Sequence, residues 1–486
     1  VTRVRVSDRG AGAAAFLAPL AVRAVPEILS WPYPIGFDTL MYAGYAVGET
    51  FLRMPLPELL KTTSLLYLVY TLLYKALGDP LLPAKILGPL LTAAVGYGVY
   101  RFTRRAGFEP GTALLASLLA TAYFVALRIS WEMYRQMLAT AFLLAALYLE
   151  AGPPARRGRL LQALLAFLTA WAHEFITVIL LAHKAARSLA SRGLRQAVEE
   201  ALPALPAALL LLYQVYNPHT HALQVPVLHV EAPTRLHLLL YITGFLAYLY
   251  APLSPLLLAG LGQLRDPPLR DWALTCLALT YLPVLNPQGV DILWFRWAIL
   301  LNYPVAVAAA RGFERLTRGG AGGRLGRGAA LATLALNAVF TATYLALPPE
   351  QQWNKYFGDW NAYKQYVQTS MLQSSIPLRD VEPTIEAVRW VDSLPGDKVL
   401  VLHEAFHNWA QLYARNTRLV RVNEQKLSSP LRQNASQLLL QAASSQNATV
   451  YTIWWVSTTW YNMTRPPPQF KLLKTFQDIA VYVYEP

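Results

Sequence analysis

One cysteine, Cys276, occurs in 486 residues, which leaves no disulfide framework and no cysteine metal site. Charge is also scarce: 14% of residues are charged and 28 are acidic, against 55% hydrophobic. An ordinary soluble domain carries roughly a quarter of its residues charged, so this composition excludes one over most of the length. No repeat of about 20 to 50 residues recurs, which removes solenoids and propellers. The one low-complexity patch, Gly319-Gly320-Ala321-Gly322-Gly323, reads as a cytoplasmic linker. The first apolar stretch lacks a small-residue processing site and is expected to stay in the chain.

In place of charge the chain has long apolar runs. Runs of about 15 to 25 apolar residues recur through the first 347 positions, the length that crosses a hydrocarbon core of about 30 Å. The expected fold class is therefore a mainly α-helical polytopic membrane domain over residues 1–347, followed by a polar, aromatic-rich domain over 348–486. A net charge of +14 would suit nucleic acid, but the basic residues sit in short clusters between spans. Topology signals are distributed in this way, so the expected partner is a lipid bilayer and not a nucleic acid.

The basic clusters are Arg3, Arg5 and Arg9; Arg101, Arg104 and Arg105; Arg156, Arg157 and Arg159; Lys184, Arg187, Arg192 and Arg195; Arg265 and Arg270; and the group from Arg311 to Arg327. All are cytoplasmic together with about eleven crossings, near 11–28, 81–100, 112–127, 136–150, 160–172, 174–187, 201–216, 236–262, 272–288, 293–310 and 328–347. This puts the N-terminus inside and the C-terminal domain outside. Residues 59–77 are then a helix in the outer interface, with Tyr67, Tyr70 and Tyr74 as anchors and Lys61 and Lys75 snorkelling. Residues 160–183 are two short helices that meet at His173-Glu174.

From about residue 384 the pattern alternates: helix 384–394, strand 398–402, helix 405–414, strand 419–422, helix 431–443, strand 449–455 and two strands within 470–484. A small extracytosolic α/β domain follows. Glycosylation sequons at Asn434, Asn447 and Asn462 all fall here, which fits an external location.

At the outer ends of the spans stand the acids and bases that the membrane has to tolerate. These are Asp38, in the bent loop Trp31-Pro32-Tyr33-Pro34-Ile35-Gly36-Phe37-Asp38-Thr39; Arg128, Glu132 and Arg135; His173 and Glu174; and Asp291 and Arg296. An ionisable group at mid-bilayer costs about 2.5 to 3.5 kcal/mol, so such groups face a cavity or each other. Each could instead cap a helix end at the interface, but Asp, Glu and His lack the long stems that make snorkelling cheap. The set points to one cavity. Two carboxylates from separate loops, Asp38 and Glu132, can hold a divalent metal such as Mg or Mn against phosphate oxygens, or one can take a proton from an attacking hydroxyl. Arginine offers a planar fork to a phosphate leaving group. The combination describes displacement of a lipid phosphate from a sugar.

With Gly36-Phe37-Asp38 after the first helix, an acid in the loop Arg128–Arg135, the Ala172-His173-Glu174 break and the Arg296-Trp297 pair, residues 1–347 resemble the GT-C glycosyltransferases. That superfamily includes oligosaccharyltransferases, protein O-mannosyltransferases and aminoarabinose transferases. The resemblance implies a polyprenyl-phosphate-linked sugar donor, inverting transfer on the outer face and often a divalent metal. It makes Asp38 the acceptor-side acid, Glu132 the acid near metal or donor phosphate, and Arg296 a donor-phosphate contact. Two departures stand out. Glu132 is alone where oligosaccharyltransferases have an Asp-x-Asp pair, and Trp454-Trp455-Val456-Ser457 replaces their Trp-Trp-Asp-Tyr-Gly. The expectation is transfer of one sugar to a glycan, lipid or protein hydroxyl.

Two other classes remain open. His403-Glu404-Ala405-Phe406-His407 matches the zinc-peptidase pattern His-Glu-x-x-His, with Asn423-Glu424 offering a third ligand. A zinc site needs both histidines on one helix, whereas His403 reads as a strand end. His219, His221, His229 and Glu231 would be gating or sensing groups in a transporter or scaffold, although polar residues concentrated at span ends favour surface chemistry.

Overall fold

The computed structural model describes residues 7–485 except 152–155, 216–234, 286–292, 319–322, 352–362, 364–365, 423–434 and 457–465. The first helix, Asp8–Leu29, begins where the Ser7 side chain accepts the Gly10 N–H at 3.1 Å and Asp8 complements the helix dipole. Its 22 residues span roughly 33 Å. Leu82–Arg105 packs beside it and ends on Arg104 and Arg105.

Five helical stretches are long and apolar enough to cross a membrane: Asp8–Leu29, Leu82–Arg105, Leu194–Val215, Arg235–Arg265 and Gly323–Ala346. Pro110–Ala122 with Phe124–Glu132 makes a sixth if that pair, bent by 55°, is one span. The chain is a mainly helical, multi-pass membrane protein with a small C-terminal sheet. Other expected crossings fall on shorter helices, among them Tyr134–Glu150, Arg156–Ala172 and Glu174–Leu189. The expected crossing at 293–310 is interrupted at Leu301, between Trp294–Leu300 and Asn302–Arg318. Asn302–Arg318 packs very closely on Ser254–Gly260, because a side chain at Gly260 or Gly312 would overlap backbone of the other helix.

Residues 59–77 do not form one helix: Leu56–Leu60 and Leu65–Leu77 are separate, and the longer is too short to span. Two of the three tyrosines expected as interface anchors are instead buried, and Tyr74 is half-buried. Tyr67 and Tyr70 are buried against Tyr42, and Tyr67 stacks on Phe51 at 4.4 Å. Inside the protein their rings pack edge-on and stacked against other aromatics. Lys75 and Lys61 pair with Glu49 and Glu58.

The C-terminal sheet has strands β1 (Lys398–His403), β2 (Arg418–Val422), β3 (Thr449–Trp455), β4 (Phe470–Phe476) and β5 (Ile479–Tyr484) in the order β2-β1-β3-β5-β4. β1 is parallel to both neighbours, and β5 is antiparallel to both of its own. The interior strand β1, Lys-Val-Leu-Val-Leu-His, is buried throughout, as a strand covered on both faces should be. Edge strand β4 instead exposes Lys471 and Lys474, which discourages pairing with another chain. The helices Val381–Ser393, Glu404–Tyr413 and Ala435–Ser444 fall where the sequence pattern puts them. Of the sequons, Asn447 is exposed, while Asn434 and Asn462 lie outside the described residues.

This unit sits on the loop that follows the first helix and on the end of the helix Phe124–Glu132. The Gly36 N–H and the Trp131 indole both donate to the Gln373 carbonyl, at 3.1 and 3.0 Å. Tyr33 meets Glu382 and Trp409, and Gly44 faces Gln411. At the opposite end the basic clusters gather: Arg104 on Asp8, Arg105 on the Ala151 carbonyl, Lys184 and Arg187 on Glu150, and Arg159 on Glu199.

Candidate functional site

Each charged residue of the site except Arg128 stands at a helix end. Asp38 is in the first turn of Phe37–Val47, behind the Pro32, Pro34 and Gly36 bend. Glu132 closes Phe124–Glu132, Met133 breaks the helix, and Arg135 lies in the first turn of Tyr134–Glu150. His173 caps Glu174–Leu189, its Nδ1 accepting the Phe175 N–H at 3.1 Å, so the neutral ring carries its proton on Nε2. Arg296 follows Leu293, whose left-handed backbone (φ 51) starts the helix Trp294–Leu300. Trp297 stacks on Phe175 at 4.6 Å and thereby joins the His173 break to the Arg296 helix.

These residues form one cluster, as the sequence implies. Asp38 lies within electrostatic reach of Glu132, Arg296, Arg135 and Arg128. His173 and Glu174 lie within reach of Arg135 and Arg296. Three arginines thus face three carboxylates. Asp291 falls outside the described residues, as do the loop histidines His219, His221 and His229 with Glu231.

The members are not equally available to a ligand. Glu132 is not free: it is buried in an ion pair with Arg128 at 2.5 Å, and its carbonyl accepts the Tyr42 hydroxyl at 3.1 Å. Arg128 also donates to the Tyr366 carbonyl at 2.8 Å. Arg135 donates to Thr63 at 2.8 Å and lies over the Tyr67 ring. Among the described residues, no protein group hydrogen-bonds the Asp38 carboxylate or the Arg296 guanidinium, and the Arg296 Nε is buried without a partner. Asp38 and Arg296 each keep part of their surface open while protein closes around them. That is the condition of residues lining a cavity. Burial, then repulsion from Glu132, pushes the Asp38 carboxyl up to about 6, and the nearby arginines only partly offset this.

A support missed in the sequence reading lies beneath the site. Arg23 and Lys85 both bind the buried Glu27, at 2.9 and 3.4 Å, and Arg23 also donates to the Ser130 carbonyl and Tyr134 hydroxyl. This cluster fixes the backbone break that presents Glu132. The i,i+4 spacing of Arg23 and Glu27 inside an apolar run was the available signal. Tyr42 and Thr63 were also missed, and Tyr67 reads from sequence only as an interface anchor; hydroxyl residues on short helices and turns carry no distinctive pattern.

The His-Glu-x-x-His segment departs from a zinc-peptidase arrangement. His403 ends β1 and caps the next helix, its Nδ1 accepting the Ala405 N–H at 3.2 Å. Glu404 is ion-paired with Arg421, so the group that should activate water is already engaged. His407 Nδ1 is buried without a hydrogen-bond partner. Asn423 and Glu424 lie outside the described residues.

No protein-family model matches the chain, and no curated protein matches it.

Proposed function

We propose that the chain is a GT-C-type membrane glycosyltransferase that moves a sugar from a polyprenyl-phosphate donor to a glycan, lipid or protein hydroxyl with inversion. The carrying observation is an open carboxylate, Asp38, in one cluster with an open guanidinium, Arg296, while Glu132, Arg128 and Arg135 are braced by protein groups. The gathering of the basic clusters at the end remote from the sheet supports about eleven crossings, with that end and the N-terminus cytoplasmic and the sheet outside.

In this reading the acceptor hydroxyl gives its proton to Asp38 as its oxygen attacks the anomeric carbon. The bond from that carbon to the phosphate oxygen breaks, and the phosphate leaves with the electron pair toward Arg296. Arg128 and Arg135 hold positive charge nearby, and Glu132 fixes Arg128. A divalent cation, Mg or Mn, would be held by Asp38, with Glu132 joining only on release from Arg128. Such an ion, when bound, would offset phosphate charge. His173, with Nδ1 engaged, presents Nε2–H as a neutral donor.

The test is transfer or donor hydrolysis by purified protein supplied with polyprenyl-phosphate sugars, with mass spectrometry of co-purifying lipid. Absence of any bound polyprenyl phosphate, and of donor consumption across a panel of sugars, would sink the reading.

A further inference from the structure

At the end of the bundle remote from the candidate site, the structure holds a partly open cavity of about 770 Å³ between the helices Asp8–Leu29, Leu82–Arg105 and Tyr134–Glu150. Four arginines line it: Arg9, Arg101, Arg104 and Arg105. The one acid, Asp8, is consumed locally, by Arg104 at 2.7 Å and the Tyr100 hydroxyl at 2.6 Å. Among the described residues Arg9, Arg101 and Arg105 have no acidic partner.

Charge at a span end needs no cavity to set topology, and a solvated arginine needs no fixed geometry. Here Arg101 is clamped, donating to the Tyr97 hydroxyl at 3.0 Å and to the Tyr148 hydroxyl at 2.5 Å. Its guanidinium lies 4.8 Å from the Tyr148 ring centre, and that of Arg105 lies 5.4 Å from the same ring. One aromatic ring therefore sets two guanidinium groups side by side. Arg105 is held further by its Nε donating to the Ala151 carbonyl at 3.1 Å.

The cavity has an apolar end as well. Ala13 and Phe16 of the first helix line it together with Arg9. Phe16 lies two turns from Arg9, roughly 10 Å further along the helix axis toward the apolar belt. A free phosphate has no use for that extension, whereas a phosphodiester with acyl chains matches both ends. We infer that this cavity is a binding site for an anionic phospholipid, with its phosphate on Arg9, Arg101 and Arg105 and an acyl chain along Ala13 and Phe16. Basic pockets between spanning helices recognise lipid headgroups on this principle. The site is roughly the 33 Å length of the first helix away from Asp38 and does not depend on the glycosyltransferase reading.

The experiment uses the full chain in non-ionic detergent. Melting temperature and native mass spectrometry are followed with phosphatidylglycerol, phosphatidylcholine of the same chains, and glycerol 3-phosphate. Phosphatidylglycerol should be retained and should raise the melting temperature, while the other two should not. Arg101→Gln with Arg105→Gln should weaken it roughly tenfold or more. Ala13→Trp, which leaves every arginine in place and fills the apolar end, should weaken it comparably and decides the matter if the double variant fails to fold. Equal retention of phosphatidylcholine, a full effect from glycerol 3-phosphate, or unchanged affinity in Ala13→Trp would overturn the inference.

Discussion

Gly36 and Trp131 meet backbone to backbone: a methyl group on Gly36 would overlap the Trp131 carbonyl oxygen. Gly36 also has φ +97, a conformation that side chains rarely adopt. The contact locks the loop bearing Asp38 to the helix end bearing Glu132, and both Gly36 and Trp131 then bind the Gln373 carbonyl. Gly36→Ala is expected to cost about 3 kcal/mol or more through overlap and strain together. Trp131→Phe, which loses the indole donor and part of a buried ring, should cost about 1 to 3 kcal/mol. Thermal unfolding in detergent ranks the two, and a Gly36→Ala variant as stable as wild type would disprove the contact.

Asp38→Asn removes a half-buried carboxylate that no described protein donor stabilises. Transfer should fall by about a thousandfold or more if Asp38 is the base, while the melting temperature at neutral pH stays at or above that of wild type. A structural acid would behave the other way, losing stability with activity preserved. Donor affinity should be little changed, because the phosphate contacts are arginines.

The same carboxyl gives a pH signature. The folded state holds its proton up to about 6, whereas the unfolded chain releases it near 3.8. Its stabilising contribution is full below 3.8 and is lost as pH rises to about 6. Activity runs in the opposite sense, since the base works only when ionised. Transfer should therefore decline as pH drops through about 6. Asp38→Asn should flatten the stability profile in this window, and an unchanged profile in the variant would refute the assignment.

What could be read from sequence depended on whether a side chain or a backbone carried the signal. His173-Glu174 interrupts one apolar run, and His403 ends another, Val399 to Leu402, so both helix starts were legible. Asp38, Glu132 and Arg296 stood out as short-stemmed or unpaired charges beside apolar segments. Tyr67 and Tyr70 misled because an amphipathic ring suits a headgroup layer and a protein interior equally well. The seat of the C-terminal unit was invisible, since it is made by carbonyls of Tyr366, Met371 and Gln373, which any residue would supply. The Arg128–Glu132 pairing was compatible with i,i+4 spacing but so was solvent exposure of both.

That pairing separates Glu132 from Asp38. Glu132→Gln strands Arg128 in a buried environment, where removing one member of an ion pair costs about 3 to 5 kcal/mol. Glutamine retains an acceptor for the guanidinium, so the expected loss is about 1 to 3 kcal/mol, alongside reduced transfer. Arg128→Gln with Glu132→Gln should recover part of the stability but not the activity. If Glu132→Gln melts with wild type, the carboxylate is not braced by Arg128.

His403 and His407 test the peptidase class directly. His403 serves as a helix cap, so His403→Asn, which keeps an acceptor, should hold the melting temperature, while His403→Ala should cost about 1 kcal/mol. Burial, followed by the charge of Arg421, lowers the His407 imidazole to about 4 from an ordinary 6.5. The unfolded chain then takes up the proton first as the solution is acidified, so His407 contributes stability above 6.5 that is lost as pH falls to about 4. His407→Asn should remove this acid-side loss and leave transfer intact. Zinc analysis of the purified chain supplies the opposing result: stoichiometric zinc, absent from both His403→Asn and His407→Asn, would make this segment a metal centre and displace the cap as its role.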